Sequence, residues 1–386
     1  MLAPQPFFQP RGTPISVFFR LKALSDLGHQ VDLVTYHIGE NKKFKNLRIL
    51  RIPNIFGIRH IKIGPSLVKI PLDLLLFMKA LCLVFRKRYD LIFSHEEAGW
   101  FGVFLAAIKK IPHVYDMHSS LPQQLENFQF TRSACVIKTF RLLEKKVLKN
   151  SRSIIVICPD LFHLVEKKGH REKTFLLENF IDFDLPETPD EQVFPQRKKY
   201  ADSNEKIVLY VGNFQSYQGI PLLLETASRL KEDPVVFLLV GGNGRELAHV
   251  KDKVKEMNLD DTVIFTGQVP PTRVPLFIQL ADVLVSPRTA GTNTPLKIYS
   301  FLKSGIPLVA TRLWTHTQVL DDKIALLVEP EPESMAQGIR KALFEKEGGK
   351  RAEEARAHAE NNYTYARYCE ILTQVLESAI RTGGDG

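Results

Sequence analysis

A chain of 386 residues with 44% hydrophobic and 25% charged side chains reads as a folded protein, and it exceeds the length that one ordinary core serves. Its four cysteines, Cys82, Cys135, Cys158 and Cys369, stand far apart without a Cys-x-x-Cys or Cys/His cluster. That spacing argues against a zinc site or a disulfide framework and fits a reducing compartment.

From the first residue, MLAP reads as a short strand. FQPRGTPI (8–15) then leads into a helix from Pro14 to Leu27. The opening lacks the basic and apolar regions of a signal peptide, so a cytoplasmic location is expected. Strand patterns follow at 30–36 and 48–52, an apolar helix at 68–87, a strand at 90–95 and a helix near 98–109. HVYDMH (113–118), a long helix from Ser133 to Lys149, SIIVIC (153–158) and TFLLEN (174–179) complete the first half. From Ile181 to Asn204 the periodicity lapses into prolines and charges, as expected of an interdomain link.

The alternation restarts with strands at 206–212, 235–242, 262–267, 282–287, 307–311 and 324–330. Helices are expected between them at 219–230, 244–256, 271–280 and 295–304, then at 332–345, to about 360, and at 362–380. Alternating buried strands and helices predict an α/β chain of two doubly wound parallel-sheet domains facing a cleft. The expected bounds are 1–185 and 186–361, with helix 362–380 packing back on the first domain. Ligands of such sheets sit beyond the carboxyl ends of the strands.

Charge is uneven. Residues 1–190 carry 28 Lys and Arg against 18 Asp and Glu (+10), and residues 191–386 carry 24 against 25 (−1). Eight of the cations lie between Asn41 and Leu72, where there is no acid. In the apolar helix, Lys69, Asp73, Lys79 and Arg86 fall within about 140° of arc, leaving a broad apolar face. Residues 41–88 thus read either as a buried helix beside a solvated basic loop or as a basic, apolar surface for an anionic membrane. The interrupting charges argue against a transmembrane span, and too few aromatics accompany the cations for a nucleic-acid partner.

Four loops carry candidate chemistry. Gly12 and Thr13 follow the first strand and fit either a phosphate or sugar site or a plain tight turn. LYVGNFQSYQG (209–219) and LLVGGNG (238–244) are polar, glycine-bearing turns after buried strands; GxGxxG is absent. In GTNTPLKIYSFLKSG (291–305), Thr294 is expected as N-cap, Pro295 in the first helical turn and Lys297 just inside it. Glu96–Glu97 reads as a solvated helix start, and His316 is given no role.

The order of these motifs resembles the retaining family-4 glycosyltransferases, which have two Rossmann-like domains, the GT-B arrangement. The matching stretches are GHQV, DMHSSLP, ENFID, YVGNFQSYQG, VGGNG, FTGQVP, ADVLVSPR, GTNTPLKIYSFLKSGIPLVAT and THTQVL. The resemblance implies hexosyl transfer from a UDP- or GDP-linked sugar to a lipid-linked or polysaccharide acceptor in cell-surface glycan synthesis. It also implies retention, with the departing phosphate helping to deprotonate the acceptor; no metal or cofactor is expected.

By the same resemblance, Gly212, Asn213, Gln218, Gly219, Asn293, Thr294, Pro295, Leu296 and Lys297 approach the diphosphate. Gly241, Gly242, Gly267, Gln268 and Val269 lie by the base, Arg288 and Thr292 line the donor pocket, and His118 stands near the transferred sugar. Two departures stand out. Asn213 and Gln218 occupy the places of a usual Arg and Lys, and Thr292 and Ser300 those of two glutamates, the second of which holds ribose. They leave open an inactive assembly partner; an epimerase of the same fold is a further alternative.

Overall fold

The computed structural model describes residues 1–9, 12–55, 57–59, 61, 66–127, 133–178 and 190–381. The chain divides into two compact units, Met1–Phe180 with Tyr365–Gly386, and Ile181–Thr364.

In chain order the first unit contains β1 (Leu2–Ala3), α1 (Gly12–Asp26), β2 (Val31–Thr35), β3 (Leu47–Arg51), α2 (Lys69–Arg86), β4 (Ile92–His95) and α3 (Ala98–Lys109). It continues with β5 (His113–Met117), α4 (Leu121–Asn127), α5 (Ala134–Asn150), β6 (Ser153–Val156), α6 (Pro159–Lys167) and β7 (Thr174–Leu176). All pairings are parallel, in the order β3-β2-β1-β4-β5-β6-β7. The order reverses between β1 and β4, which opens a crevice at their carboxyl ends.

The second unit contains α7 (Asp190–Arg197), β8 (Lys206–Gly212), α8 (Ile220–Arg229), β9 (Val235–Gly241), α9 (Gly244–Glu256), β10 (Val263–Gly267), α10 (Val274–Leu280) and β11 (Val283–Ser286). Then come α11 (Lys297–Lys303), β12 (Leu308–Thr311), α12 (Trp314–Thr317), β13 (Leu326–Val328), α13 (Pro332–Phe344) and α14 (Lys346–Asn362). Its parallel sheet runs β10-β9-β8-β11-β12-β13, with the reversal between β8 and β11. The final helix, α15 (Tyr365–Arg381), belongs to the first unit, where Ser153 Oγ on β6 donates to the Val375 carbonyl at 3.1 Å.

Strand alternation shows why both sheets are covered twice. On β8, Val208 and Tyr210 enter one core with Phe237, Leu239, Val285 and Ile339, while Ile207 and Leu209 enter another with Leu238, Leu284, Ile298 and Phe301. Every buried strand position therefore faces a helical layer, and the sheet has no wet side.

Four helices lie where none was expected: α4, α6, α7 and α12. In α6, Pro159 starts the helix directly after the strand, and only Leu161 and Val165 are buried, too brief a period to separate from a loop. The expected link at 181–204 contains α7, and its first nine residues, 181–189, lie outside the described residues, as do Asn179 to Asp182 of the ENFID stretch.

Candidate functional site

In the second unit the loops after β8 and β11 meet at the strand reversal because glycine allows it. Gly219 adopts φ +76, and a Cβ there would lie 1.7 Å from the Pro287 carbonyl oxygen, so only glycine lets the two loops touch. Gly241 plays the same part beside β8: its Cβ would fall 1.9 Å from the Gly212 carbonyl oxygen. On the far side, Asn243 Nδ2 donates to Gln268 Oε1 at 3.3 Å and links the loops holding Gly241–Gly242 and Gly267–Gln268. Val269 packs toward the core.

Lys297 opens α11. Its ammonium is buried 4.0 Å from the centre of the Tyr210 ring, and a Cβ on Gly212 would stand 3.6 Å from it. Tyr210 donates its hydroxyl to the Asn213 carbonyl at 2.6 Å, which fixes the ring and the loop together. Arg288 lies over Tyr217, 5.1 Å from the ring centre, and donates Nη1 to the Asn293 carbonyl at 2.7 Å and to Thr315 Oγ1 at 2.8 Å. Thr315 donates to the same Asn293 carbonyl at 2.6 Å, and Gln318 Nε2 donates to the Thr292 carbonyl at 2.7 Å. The segment before α11 is thus held by side chains.

Burial, and secondarily Arg288, pushes the Lys297 pKa well below the ordinary lysine value; burial also lowers that of Arg288. Lys297 Nζ, Arg288 Nε, Thr294 Oγ1 and Gln218 Oε1 are all buried and make no hydrogen bond among the described residues. Four such atoms around one strand reversal include two cationic donors and a hydroxyl, a donor-rich set suited to an anion.

The start of α11 differs from expectation. The helix begins at Lys297 with Leu296 in the capping position, and Thr294 makes no cap hydrogen bond. Pro295 precedes the helix instead of lying in its first turn, and its carbonyl accepts from Ile298 N–H at 3.0 Å, which occupies one amide at the helix start. At seven residues the helix is also short, so an anion placed here would be attracted more by the two cations than by the helix end. Ser300 sits half-buried on it.

His316 is a clamp. A backbone carbonyl can only accept, so Nδ1 donates to the Thr311 carbonyl (2.8 Å) and Nε2 accepts from Ser286 Oγ (2.8 Å). This neutral ring ties β11 to β12, and burial lowers its pKa to about 3.

Gly12, Thr13 and His118 belong to the first unit, whereas the group just described belongs to the second. The helix α1 starts at Gly12, so Thr13 lies inside it and donates to Glu96 Oε1 at 3.4 Å. His118 follows β5. Its Nε2 is 3.3 Å from Asp116 Oδ1 and 3.1 Å from His95 Nδ1. Behind them Arg20, wholly buried, donates Nε to Asp116 Oδ2 at 2.7 Å and Nη1 to the Tyr368 hydroxyl of α15 at 2.5 Å. Burial pushes the Asp116 carboxyl up, but Arg20 and His118 outweigh it and hold it far below the usual range. Burial lowers His95 to about 3.

His95, Asp116 and His118 are the one group of His, Cys, Asp and Glu among the described residues close enough to share an ion. Arg20 already balances the carboxylate, and an added dication would face its guanidinium.

Glu96 and Glu97 are not a solvated helix start. Glu96 takes φ +48 at the carboxyl end of β4, a strained setting for a non-glycine residue, and Glu97 pairs with Lys69 at 2.9 Å. Asp73 accepts from the Tyr36 hydroxyl at 2.5 Å, and burial together with Glu97 raises its carboxyl to about 8. Sequence reasoning missed Arg20, His95, Asp73, Tyr210 and Tyr217. A lone arginine within the apolar run SVFFRLKAL was the available sign for Arg20.

Comparison with known proteins identifies the family and the fold. Residues 11–185 match the model of Glycosyltransferase Family 4, and residues 193–363 that of Glycosyl transferases group 1. The chain is 26% identical over 352 residues to the alpha-monoglucosyldiacylglycerol synthase of Streptococcus pneumoniae, covering 88% of this chain and 76% of that one. Anabaena Alr3699/HepE in complex with UDP superposes with a TM-score of 0.77 at 17% identity, over 98% of each chain. Sucrose-phosphate synthase from Thermosynechococcus elongatus gives 0.78 at 21% identity, over 96% of this chain and 94% of that one. With one family model on each unit and this fold, the chain belongs to the family-4 glycosyltransferases of GT-B type.

Proposed function

We propose that the protein transfers a hexose from a nucleoside-diphosphate sugar to a lipid-linked or polysaccharide acceptor, with retention and without a metal. The observation that carries this reading is the buried group of Lys297 Nζ, Arg288 Nε, Thr294 Oγ1 and Gln218 Oε1, polar atoms without a hydrogen-bond partner among the described residues. A diphosphate supplies what the two cations lack, and its charge grows as the sugar departs, so their attraction strengthens along the reaction. Lys297 and Arg288 perform here the charge neutralisation that a divalent ion would otherwise provide. Support for a nucleotide sugar comes from HepE, which binds UDP and UDP-glucose in its crystals. Support for a lipid-linked or cell-surface acceptor comes from the names of relatives, the diacylglycerol-glucoside synthase above and an O-antigen chain mannosyltransferase of Escherichia coli.

In the first unit, His118 is the group we place beside the transferred sugar, with Asp116 and His95 orienting its ring and Gly12 and Thr13 at the neighbouring loop. Calorimetric titration of UDP, GDP and ADP tests the donor half. One of them binds in the presence of a chelator, and Arg288→Ala weakens it; if none binds, the reading fails.

A further inference from the structure

Surface helices ordinarily turn charge to water and apolar residues to the core. The solvent side of α2 does the reverse. Of its four charged residues, Lys69 reaches Glu97 at 2.9 Å, Asp73 holds the Tyr36 hydroxyl and Lys79 donates to the Arg51 carbonyl oxygen. Leu72, Leu76, Ala80 and Val84 fill the core. What faces solvent is Ile70 (63% exposed), Leu74 (60%), Met78 and Phe85 (64%), each about one or two turns from the next. The helix α3 widens the strip with Phe104 and Ile108, both exposed; the Phe104 ring lies 5.8 Å from Phe77 of α2. Across the same junction, Lys109 Nζ lies 5.1 Å over the Phe85 ring. Two helices therefore present one continuous apolar face.

The end of that face is basic. Arg86, Lys87 and Arg88 close α2, and Lys109 and Lys110 close α3; Asp90 is the exposed acid beside them, and Asp32 pairs with Lys87 at 3.2 Å. Among the described residues no helix is long and apolar enough to cross a membrane. The cations of the earlier basic run are in part already engaged: Arg51 donates to the Tyr36, Ile38 and Glu40 carbonyls, and Arg48 pairs with Asp32.

We propose that the face formed by α2 and α3 docks the protein on an anionic lipid bilayer. Ile70, Leu74, Met78, Phe85, Phe104 and Ile108 enter the boundary between headgroups and acyl chains, and Arg86, Arg88 and Lys110 meet the headgroup charges. The charge decides the occupant. A second copy of the chain would bring the same basic rim into one interface without matching acids, whereas an anionic lipid surface complements it. This face lies in the first unit and does not depend on the donor group of the second.

Flotation of the full chain tests it, with vesicles of phosphatidylcholine alone or mixed with phosphatidylglycerol. The protein floats with the mixed vesicles at low salt, and added salt weakens the association. A Leu74→Ser, Met78→Ser, Phe85→Ser triple variant loses roughly a hundredfold or more in apparent vesicle affinity. An Arg86→Gln, Arg88→Gln, Lys110→Gln variant loses the preference for anionic vesicles. Both variants melt where the parent does, since the replaced side chains are exposed. Parent protein that stays unbound at low salt, or a serine variant that floats as the parent does, overturns the proposal. So does a parent dimer that the serine variant converts to monomer. If no nucleoside diphosphate binds while flotation persists, the donor reading falls and this one stands.

Discussion

Replacing Lys297 with methionine should make the ligand-free protein more stable and its ligand weaker, a pair of opposite signs. The ammonium is buried over Tyr210 with no hydrogen-bond partner among the described residues, and Arg288 is a like charge nearby. An effective penalty of several kcal/mol attends a buried unpaired ion, and methionine of similar length recovers ~1–3 kcal/mol of it. For a unit of this size that raises the melting temperature by roughly 2–4 °C per kcal/mol. Binding moves the other way. A charge-assisted hydrogen bond to phosphate is worth about 1.5–3 kcal/mol, so affinity for the nucleoside diphosphate falls roughly 10- to 150-fold.

The pH dependence follows from the depressed lysine pKa. Between the lowered folded value and the ordinary one, the unfolded chain holds a proton that the native chain lacks, so stability rises with pH across that window. Lys297→Met removes this rise. A diphosphate restores the charged form, so binding takes up protons within the window, read as a buffer-dependent calorimetric enthalpy. Differential scanning calorimetry and titration of both proteins check all of this. A methionine variant that melts lower, or binds as well as the parent, refutes the reasoning.

Asp116→Asn leaves Arg20 buried without its counter-charge and lowers stability by ~3–5 kcal/mol, whereas joint replacement of Arg20 and Asp116 with apolar residues costs less; denaturant melts compare them. Asp73 has the contrary pH signature. Its carboxyl is raised to about 8, so from about pH 4 to 8 the native chain keeps a proton the unfolded one has lost, and stability falls as pH rises; Asp73→Asn flattens that slope in melts across the range. Gly219→Ala places a Cβ 1.7 Å from the Pro287 carbonyl in a left-handed conformation; we expect a loss of about 3 kcal/mol or more and weakened diphosphate binding, measured by melting and titration.

Strand alternation and glycine placement made the two sheets legible in the sequence, because fully buried parallel strands read as unbroken apolar runs such as KIVLYVG and VVFLLVGG. Lys297 was legible for a similar reason, standing next to a polar, glycine-bearing turn. What stayed hidden was pairing at a distance. Nothing in SVFFRLKAL says that Arg20 meets Asp116, 96 positions on, or Tyr368, 348 positions on. Glu96 and Glu97 looked solvated because their partners, Thr13 and Lys69, come from other helices. The cap of α11 was misplaced because threonine and proline propensities are local, whereas Arg288, Thr315 and Gln318 shape that segment from outside it. The helix α2 showed its apolar arc in the sequence, but which arc meets water depends on Glu97, Tyr36 and Arg51 drawing its charges inward.

The central claim is that Lys297 and Arg288 seat the diphosphate of a sugar donor. Its most direct test is nuclear magnetic resonance observation of UDP-, GDP- and ADP-sugars incubated with the protein, a lipid extract as acceptor source and a chelator. The account predicts release of nucleoside diphosphate from one of the three, an anomeric proton that keeps its configuration in the product, and loss of that release in Lys297→Met. No release from any donor, or equal release by the parent and Lys297→Met, would contradict it.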